Sequence, residues 1–324
     1  MTRDTGMQNR DLDAFDAKLA RSHLRGQWKS EEFLTRAIGG PKPAGVPALW
    51  SWRDVTALLE EAAAAMPESL QARRSLIFQN PELPRGTTQT MNMGIQMIMP
   101  GETAWAHRHS IAALRFVIEG SASLMTIVDG ATCTMETFDL VLTPNWYWHD
   151  HHNHAQKPVY WLDVLDVPLV LGLNQTFYEP GSGENQPAPE ASLSNRRHLH
   201  YPWRDVEAAL AEIAATEDGR LYEYRDPKTG GPTMPTLGCK AQSLPPGFAT
   251  RFRQRTSSAV YFVVRGEGVT EAGGRELEWR QNDSFVVPNW TRHRHINRSS
   301  KNDAVLFSVE DTPALRALGF YREA

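Results

Sequence analysis

Two stretches of the sequence concentrate histidines at spacings that suit a metal site. The first, GETAWAHRH, carries His107 and His109 one residue apart, and the second, WHDHHNH, carries His149 and His151. Residues i and i+2 of a β-strand point to the same face, so His107 and His109 can reach one ion. Imidazole suits iron, zinc, copper and nickel. His107, His109 and His149 are therefore the candidate metal ligands.

The charged residues that follow the first histidine pair indicate what the metal would act on. The first of them is Arg115, and Glu119 comes only beside the turn at Gly120. We therefore expect three neutral ligands and no carboxylate, which leaves the full charge of the metal for an anionic substrate. The guanidinium of Arg115 matches a carboxylate bidentately and favours an anion further.

Turn residues frame both histidine stretches at spacings that resemble the two motifs of the cupin superfamily. Six positions of this frame hold: Gly101, His107, His109, Pro144, His149 and Asn153. Phe138 and Trp146 stand where the motif has glycines. A frame spread over two motifs argues against the interpretation that these are ordinary exposed or hydrogen-bonded histidines. For His23, His198 and His200 that ordinary role remains the expected one.

The elements that must position these residues occur twice. WSWRDVTALLEEAAAA (50–65) resembles YPWRDVEAALAEIAAT (201–216), each a predicted helix with Asp54 or Asp205 as its N-cap. FDLVLTPNWYWHDHHN (138–153) resembles NDSFVVPNWTRHRHIN (282–297). Short β-branched and aromatic runs separated by Gly, Pro and Asp predict antiparallel strands. The predicted fold is mainly β, a bicupin of two antiparallel jelly-roll barrels with flanking helices.

We divide the chain into four parts on this basis. Residues 1–45 are an N-terminal arm, 46–178 the first cupin domain with the metal site, and 198–324 the second cupin domain. The segment 179–197 between them is rich in Pro, Gly, Ser and Glu and is the expected linker.

The second copy lacks two of the three candidate ligands. Its counterpart of GETAWAHRH is GFATRFRQR (247–255), with Arg253 and Arg255 at the histidine positions. Arginine does not deprotonate to become a ligand. We therefore expect no catalytic metal in the second barrel and a structural role for it.

Composition excludes several classes of protein. The chain has 324 residues, 41% of them hydrophobic, and a net charge of −4, which argues against a nucleic-acid partner. No apolar run is long enough for a membrane span, and the N-terminus has no signal-peptide core. Cys133 and Cys239 make neither a disulfide framework nor a cysteine zinc site. We expect a cytoplasmic protein with reduced thiols.

The chain resembles the bicupin ring-cleaving dioxygenases of the gentisate 1,2-dioxygenase and salicylate 1,2-dioxygenase group. The segments that carry this resemblance are NPELP (80–84), PGETAWAHRHSIAALRFVIEG (100–120), TPNWYWHDHHN (143–153), YWLDVLDVPL (160–169), VYFVVRGEG and FVVPNW. The resemblance implies one Fe(II) per subunit in the N-terminal cupin. It implies a reaction with O2 that opens a 2-hydroxybenzoate ring between the carboxyl- and hydroxyl-bearing carbons. It also implies a homo-oligomer, a tetramer.

The resemblance further implies roles for individual residues. These are His107, His109 and His149 as iron ligands, Arg115 as the partner of the substrate carboxylate, His151 as a catalytic acid/base near the phenolate, and Gln96, Trp161, Asp163 and one of Arg73 and Arg74, with Arg74 preferred, as substrate-binding residues of the pocket.

The ring substituent of the substrate stays open. His152 stands where family members more often have glycine, and TMNMGIQMIMP beside the pocket is unusually rich in methionine. Gentisate, salicylate, a 5-substituted salicylate such as 5-nitrosalicylate, and 1-hydroxy-2-naphthoate are the candidates. Another cupin metalloenzyme chemistry and a non-catalytic bicupin binding protein are the alternatives, and the intact histidine triad disfavours the latter.

Overall fold

The computed structural model describes residues 5–30, 37–66, 74–182, 186 and 197–324. Residues 1–42 and 43–324 form two separate compact units. In the first unit, helix α1 (Thr5–Arg21) precedes a 3-10 turn at Gln27–Ser30. There Trp28 Nε1 donates a hydrogen bond of 3.1 Å to Asp16. None of the helices within the described ranges is long and apolar enough to cross a membrane.

The first barrel consists of two antiparallel sheets. The six-stranded sheet has the order β12 (His200–Tyr201), β8 (Leu140–Thr143), β5 (Ala113–Glu119), β10 (Val159–Leu165), β3 (Asn92–Ile98) and β2 (Arg74–Ile77). The five-stranded sheet has the order β11 (Tyr178–Pro180), β4 (Thr103–His109), β9 (His149–Asn153), β6 (Ser121–Val128) and β7 (Ala131–Met135). Strand β11 lies at the start of the predicted linker, most of which is outside the described residues.

The second barrel repeats this arrangement with one shorter sheet. Its six-stranded sheet has the order β1 (Ala48–Trp50), β18 (Ser284–Val287), β15 (Ala259–Arg265), β20 (Ala304–Glu310), β14 (Gly238–Leu244) and β13 (Arg220–Glu223). Its other sheet has the order β17 (Arg275–Arg280), β16 (Glu267–Ala272) and β19 (His293–Asn297). The predicted mainly β bicupin fold is confirmed.

The two barrels exchange their first strands. Strand β1 precedes the first barrel in the chain but pairs with β18 of the second, and β12 precedes the second barrel but pairs with β8 of the first. Each barrel therefore completes a sheet of the other. The domain limits at 46–178 and 198–324 stay a prediction, and these two strands cross between the predicted domains.

Helices follow both exchanged strands and are capped from across the barrel boundary. Helix α2 (Trp52–Ala65) directly follows β1, and helix α4 (Trp203–Glu212) directly follows β12. The first helical N–H group of α2 donates to Asp283 Oδ1 (2.8 Å), and that of α4 donates to Asp139 Oδ1 (2.8 Å). The predicted N-caps Asp54 and Asp205 were wrong, because both lie inside the first helical turn.

The outer faces of the two six-stranded sheets form one continuous core. Phe116 of β5 stacks on Phe307 of β20 with ring centroids 4.0 Å apart, and the surrounding buried side chains come from both barrels. Helix α3 (Val167–Gly172) and helix α5 (Thr312–Ala317) each follow the last long strand of their barrel. Their N-cap carboxylates, Asp166 and Asp311, accept hydrogen bonds from Thr236 (2.7 Å) and Thr90 (2.6 Å) of the opposite barrel.

Candidate active site

Strands β4 and β9 bring the three predicted ligands together in the first barrel. Ala104 of β4 pairs with His151 of β9, and His107 of β4 pairs with His149 of β9. Between these two pairs β4 advances three residues while β9 advances two, so β4 contains a bulge. A bulge re-aims the side chains that follow it. His107, His109 and His149 form a group whose ligand atoms all lie within 4.8 Å of one another. The structure thus supports the placement of these three side chains around one point.

The hydrogen bonds of these histidines fix which ring nitrogen faces that point. Nδ1 of His107 lies 2.8 Å from the Trp105 carbonyl, Nδ1 of His109 lies 2.8 Å from the Ile111 carbonyl, and Nδ1 of His149 lies 3.0 Å from the Tyr147 carbonyl. A carbonyl oxygen only accepts, so each Nδ1 carries a proton, and in the neutral ring Nε2 then keeps its lone pair.

The innermost histidine shows the clearest ligand geometry. Burial, together with the positive charge of Arg115, lowers the pKa of His149 well below its usual range. The ring is therefore neutral, and its Nε2 is buried without a hydrogen-bond partner in the described chain. A buried lone pair of this kind is costly unless an ion or a donor meets it. These histidines fit a three-histidine metal centre.

Two bulky residues hold the turn conformations that the cupin motif assigns to glycine. Phe138 has φ 68° and Trp146 has φ 67°, in the left-handed region that side chains rarely adopt. Trp146 also donates its backbone N–H to the His109 carbonyl (2.7 Å), and its ring lies 4.5 Å from the Arg108 guanidinium carbon. The backbone geometry of the motif is thus retained without its glycines, and Trp146 holds the end of the ligand strand.

Arg115 is buried near the histidine group, where its charge acts on His149, and it is held from two sides. Its Nη1 donates to Thr143 Oγ1 (2.9 Å), and its Nε lies 3.5 Å from Asp163 Oδ1. Asp163 stands opposite Arg115 in the strand register. Burial raises the pKa of the Asp163 carboxyl, and the Arg115 charge opposes that rise. The site therefore presents a fixed guanidinium beside the three imidazoles.

His151 lies two residues after His149 on β9. Its neighbours show which of its ring nitrogens carries the proton. Thr126 Oγ1 lies 2.9 Å from Met135 Sδ and 2.7 Å from His151 Nδ1. A thioether only accepts, and so short a contact requires the hydroxyl hydrogen between the two atoms. Thr126 must then accept from His151 Nδ1, which leaves Nε2 as a proton acceptor. Burial and the Arg115 charge lower the pKa of His151, so the ring is neutral.

The remaining predicted pocket residues divide into two groups. Gln96 stands opposite Trp161 in the register, and both are buried, with Trp161 in the cluster that fills the first barrel. Arg74 stands opposite Met97, whose side chain belongs to the core between the barrels. Arg74 Nη1 binds Glu102 (2.6 Å) and its Nε donates to the Met66 carbonyl (2.9 Å). The pocket role of Arg74 stays a prediction, and Arg73 lies outside the described residues.

Comparisons with known proteins agree with this geometry. The Cupin domain family matches residues 94–165 and 241–310. A 1-hydroxy-2-naphthoate 1,2-dioxygenase from Nocardioides sp. (strain KP7) is 41% identical, over 96% of this chain and 87% of the relative. A 5-aminosalicylate 1,2-dioxygenase from Comamonas sp. is 39% identical, over 97% of this chain and 90% of the relative. This chain belongs to the gentisate and salicylate 1,2-dioxygenase family.

A solved member of this dioxygenase family has the same fold over the whole chain. The salicylate 1,2-dioxygenase from Pseudoaminobacter salicylatoxidans with gentisate is 29% identical, with a TM-score of 0.87, and the match covers 100% of this chain and 95% of that one. This chain is therefore a ring-cleaving 1,2-dioxygenase, and its three-histidine group fits the metal cofactor of a cupin dioxygenase.

Three residues that hold Arg115 and His151 were not predicted from the sequence. Thr143 reaches Arg115, and Thr126 reaches His151, across strands separated in the chain. Thr143 could have been anticipated, because it directly precedes Pro144 of the motif. The Thr126–Met135 contact lies within the β6–β7 hairpin, whose Asp129-Gly130 turn is the local signal that could have found it.

Proposed function

We propose that the first barrel binds Fe(II) through His107, His109 and His149 and opens an aromatic acid that carries a hydroxyl group next to its carboxylate. The ring would be cleaved between those two substituted carbons, with both oxygen atoms of O2 entering the product. The observation that carries this proposal is the convergence of three imidazoles, each with its Nδ1 bound to a backbone carbonyl, together with the buried Arg115 guanidinium, whose charge acts on His149.

Bound iron would hold the substrate and O2 together and accept electron density from the substrate. Arg115 would bind the substrate carboxylate, since a guanidinium pairs with it in a planar fork. Thr143 and Asp163 keep that fork in one orientation. His151 Nε2 would accept the proton of the substrate hydroxyl. Trp161 and Gln96 line the barrel interior, from which water is excluded on binding.

Two substrate classes have specific support. The relative named 1-hydroxy-2-naphthoate 1,2-dioxygenase is 41% identical to this chain, and the relative named 5-aminosalicylate 1,2-dioxygenase is 39% identical. Gentisate is present in the structure of the salicylate 1,2-dioxygenase. All of these acids share the adjacent hydroxyl and carboxylate that Arg115 and His151 would recognise. We place 1-hydroxy-2-naphthoate and 5-substituted salicylates first in the substrate panel.

The test is O2 consumption by protein loaded anaerobically with Fe(II). We expect uptake of one O2 per ring opened with at least one acid among 1-hydroxy-2-naphthoate, 5-aminosalicylate, gentisate, salicylate and 5-nitrosalicylate. Benzoate, which lacks the hydroxyl, should give none. Iron-loaded, folded protein that consumes no O2 with any of these acids contradicts the proposal. It would favour another cupin chemistry or a binding protein.

A tetrameric assembly and a cytoplasmic location stay predictions. Light scattering on the purified full-length chain tests the first, since a tetramer has four times the mass of the 36.4 kDa chain. The absence of a catalytic metal from the second barrel also stays a prediction, and the ratio of bound iron to chain tests it.

A further inference from the structure

The second barrel keeps a cavity at the position of the metal site but lines it with other chemistry. Arg253 pairs with His293 as His107 pairs with His149. Tyr261 stands opposite Ser308 as Arg115 stands opposite Asp163. These side chains line a cavity of about 180 Å³. The charged side chains around such a cavity either only pair with one another, or leave room and hydrogen-bond donors for a ligand.

The ion pairs of this cavity leave donor capacity on one arginine. Arg253 is held by Asp218 and Glu323. Glu310 accepts from both Lys240 Nζ (2.8 Å) and Arg255 Nη1 (3.1 Å), so one carboxylate serves two cations. Burial would raise the pKa of Glu310, but the two cations hold it at about 2. Arg255 thus gives one of its five N–H groups to Glu310 and keeps the others as donors. The three cations of these ion pairs are balanced in charge by the three carboxylates.

Two hydroxyl groups belong to the cavity wall. Tyr261 is 3% exposed and Ser308 is 6% exposed, and both line the cavity. Neither hydroxyl oxygen is one of the fully buried side-chain atoms without a partner in the described chain, so both reach the cavity space. Both can donate to a molecule in the cavity.

The two histidines of the cavity are each held through Nδ1. His295 Nδ1 lies 2.8 Å from Thr270 Oγ1, which also accepts from Trp279 Nε1 (3.0 Å). His293 Nδ1 donates to the Thr291 carbonyl (2.9 Å), which leaves its Nε2 as an acceptor. The ring of each histidine therefore has a fixed orientation in the cavity wall.

We propose that the second barrel is a metal-independent binding site for a small organic monocarboxylate. The carboxylate would lie against the free edge of the Arg255 guanidinium and accept hydrogen bonds from the Tyr261 and Ser308 hydroxyls. Because the surrounding cations and carboxylates already balance in charge, the site suits a monoanion held by hydrogen bonds rather than a phosphate dianion. The rings of Tyr261 and Tyr321 line the same cavity and suit an aromatic acid.

Benzoate is the probe, because it lacks the hydroxyl required for ring opening. We would titrate it calorimetrically into the full-length Arg115→Gln variant, whose first barrel has lost its proposed carboxylate partner. We expect one benzoate per chain. Adding Tyr261→Phe should weaken binding about fivefold, the effect of one hydrogen bond. Adding Arg255→Gln should remove measurable binding, and adding Arg265→Gln, at an exposed arginine paired with Glu207, should change nothing.

Two results would overturn the proposal. One is the absence of benzoate binding to folded Arg115→Gln protein at millimolar concentration. The other is equal benzoate affinity with and without the Tyr261→Phe change, which deletes one atom and leaves the ion pairs in place. Crystals soaked in 4-bromobenzoate give an independent location. Anomalous bromine scattering beside Arg255 supports the site, and scattering in the first barrel alone refutes it. The proposed ring cleavage is separable, because it should persist in the Tyr261→Phe single variant.

Discussion

Thr143 anchors Arg115 inside the first barrel. Nη1 of Arg115 donates to Thr143 Oγ1 at 2.9 Å, and the same hydroxyl donates to the Ala113 carbonyl at 3.1 Å. Because its hydrogen is used on the carbonyl, the lone pair of Thr143 faces the guanidinium. In the second barrel Val287 occupies the position of Thr143 and Tyr261 that of Arg115. The anchoring threonine, Thr143, thus occurs in the barrel that contains Arg115, and the second barrel has neither residue at these positions.

Replacing Thr143 with the isosteric valine should weaken substrate binding. The guanidinium would lose one anchor and leave a buried N–H unsatisfied, which corresponds to about 1–3 kcal/mol. We expect KM to rise about tenfold while bound iron stays at the wild-type level. Steady-state kinetics and metal analysis measure the two quantities. Thr134→Val is the control, since Thr134 alternates with the interior residues Cys133 and Met135 on β7. An unchanged KM in Thr143→Val would show that Arg115 needs no such anchor.

Removing His149 should abolish metal retention. Its Nε2 is buried and has no partner in the described chain, so no neighbouring protein group can replace it as a ligand. We expect His149→Ala to elute from desalting with less than about a tenth of the wild-type iron, consistent with loss of one of three ligands. The exposed His154→Ala variant should retain full occupancy. Wild-type iron content in His149→Ala would refute the ligand assignment.

Met135 should control the proton position on His151 through Thr126. Leucine has a similar volume but no acceptor, so Met135→Leu frees the Thr126 hydroxyl to donate to His151 Nδ1. The His151 proton would then move to Nε2, where it blocks acceptance of the substrate proton. We expect kcat to fall about tenfold or more, with KM little changed. Nitrogen-15 NMR of the histidine rings reports the tautomer directly, and Met125→Leu on β6 is the matched control.

A His151 that keeps its proton on Nδ1 in Met135→Leu contradicts this account. So does a variant with the altered tautomer and wild-type kcat, since that outcome would remove His151 from proton transfer.

Asp311 should make stability depend on pH. Burial raises the pKa of its carboxyl to about 7, above the value of about 3.9 in an unfolded chain. The folded state therefore holds the proton more tightly. Its contribution to stability is complete below about pH 4 and is lost as the pH rises through about 7, an effect of at most about 4 kcal/mol.

We expect Asp311→Asn to flatten the dependence of Tm on pH between about 4 and 7. The cost of losing the hydrogen bond from Thr90 should appear equally at every pH. Thermal unfolding followed by circular dichroism measures both effects. Thr90→Val is the companion variant, because it removes the same hydrogen bond but leaves the carboxyl in place. If Asp311→Asn and wild-type curves run parallel across this range, Asp311 does not titrate as described.

The sequence alone determined the features that depend on local spacing. Strand alternation puts His107 and His109 on one face, and the turn frame adds His149, so the spacing of these residues was sufficient to predict the three-histidine group that the structure brings together. The repeat predicted the two barrels, and the arginines at 253 and 255 marked the difference between them. These inferences hold because strand period and turn geometry act over a few neighbouring residues.

Only the tertiary structure decided which distant residues meet. Thr143 meets Arg115, and Thr126 meets His151, across strands that are separated in the chain and whose register depends on the whole sheet. The pairing of Arg74 with Glu102, and the exchange of β1 and β12 between the barrels, likewise depend on contacts between distant parts of the chain. The physical reason is that hydrogen bonds and burial between such strands are fixed by the closed barrels together. The short patterns that identify each strand do not determine them.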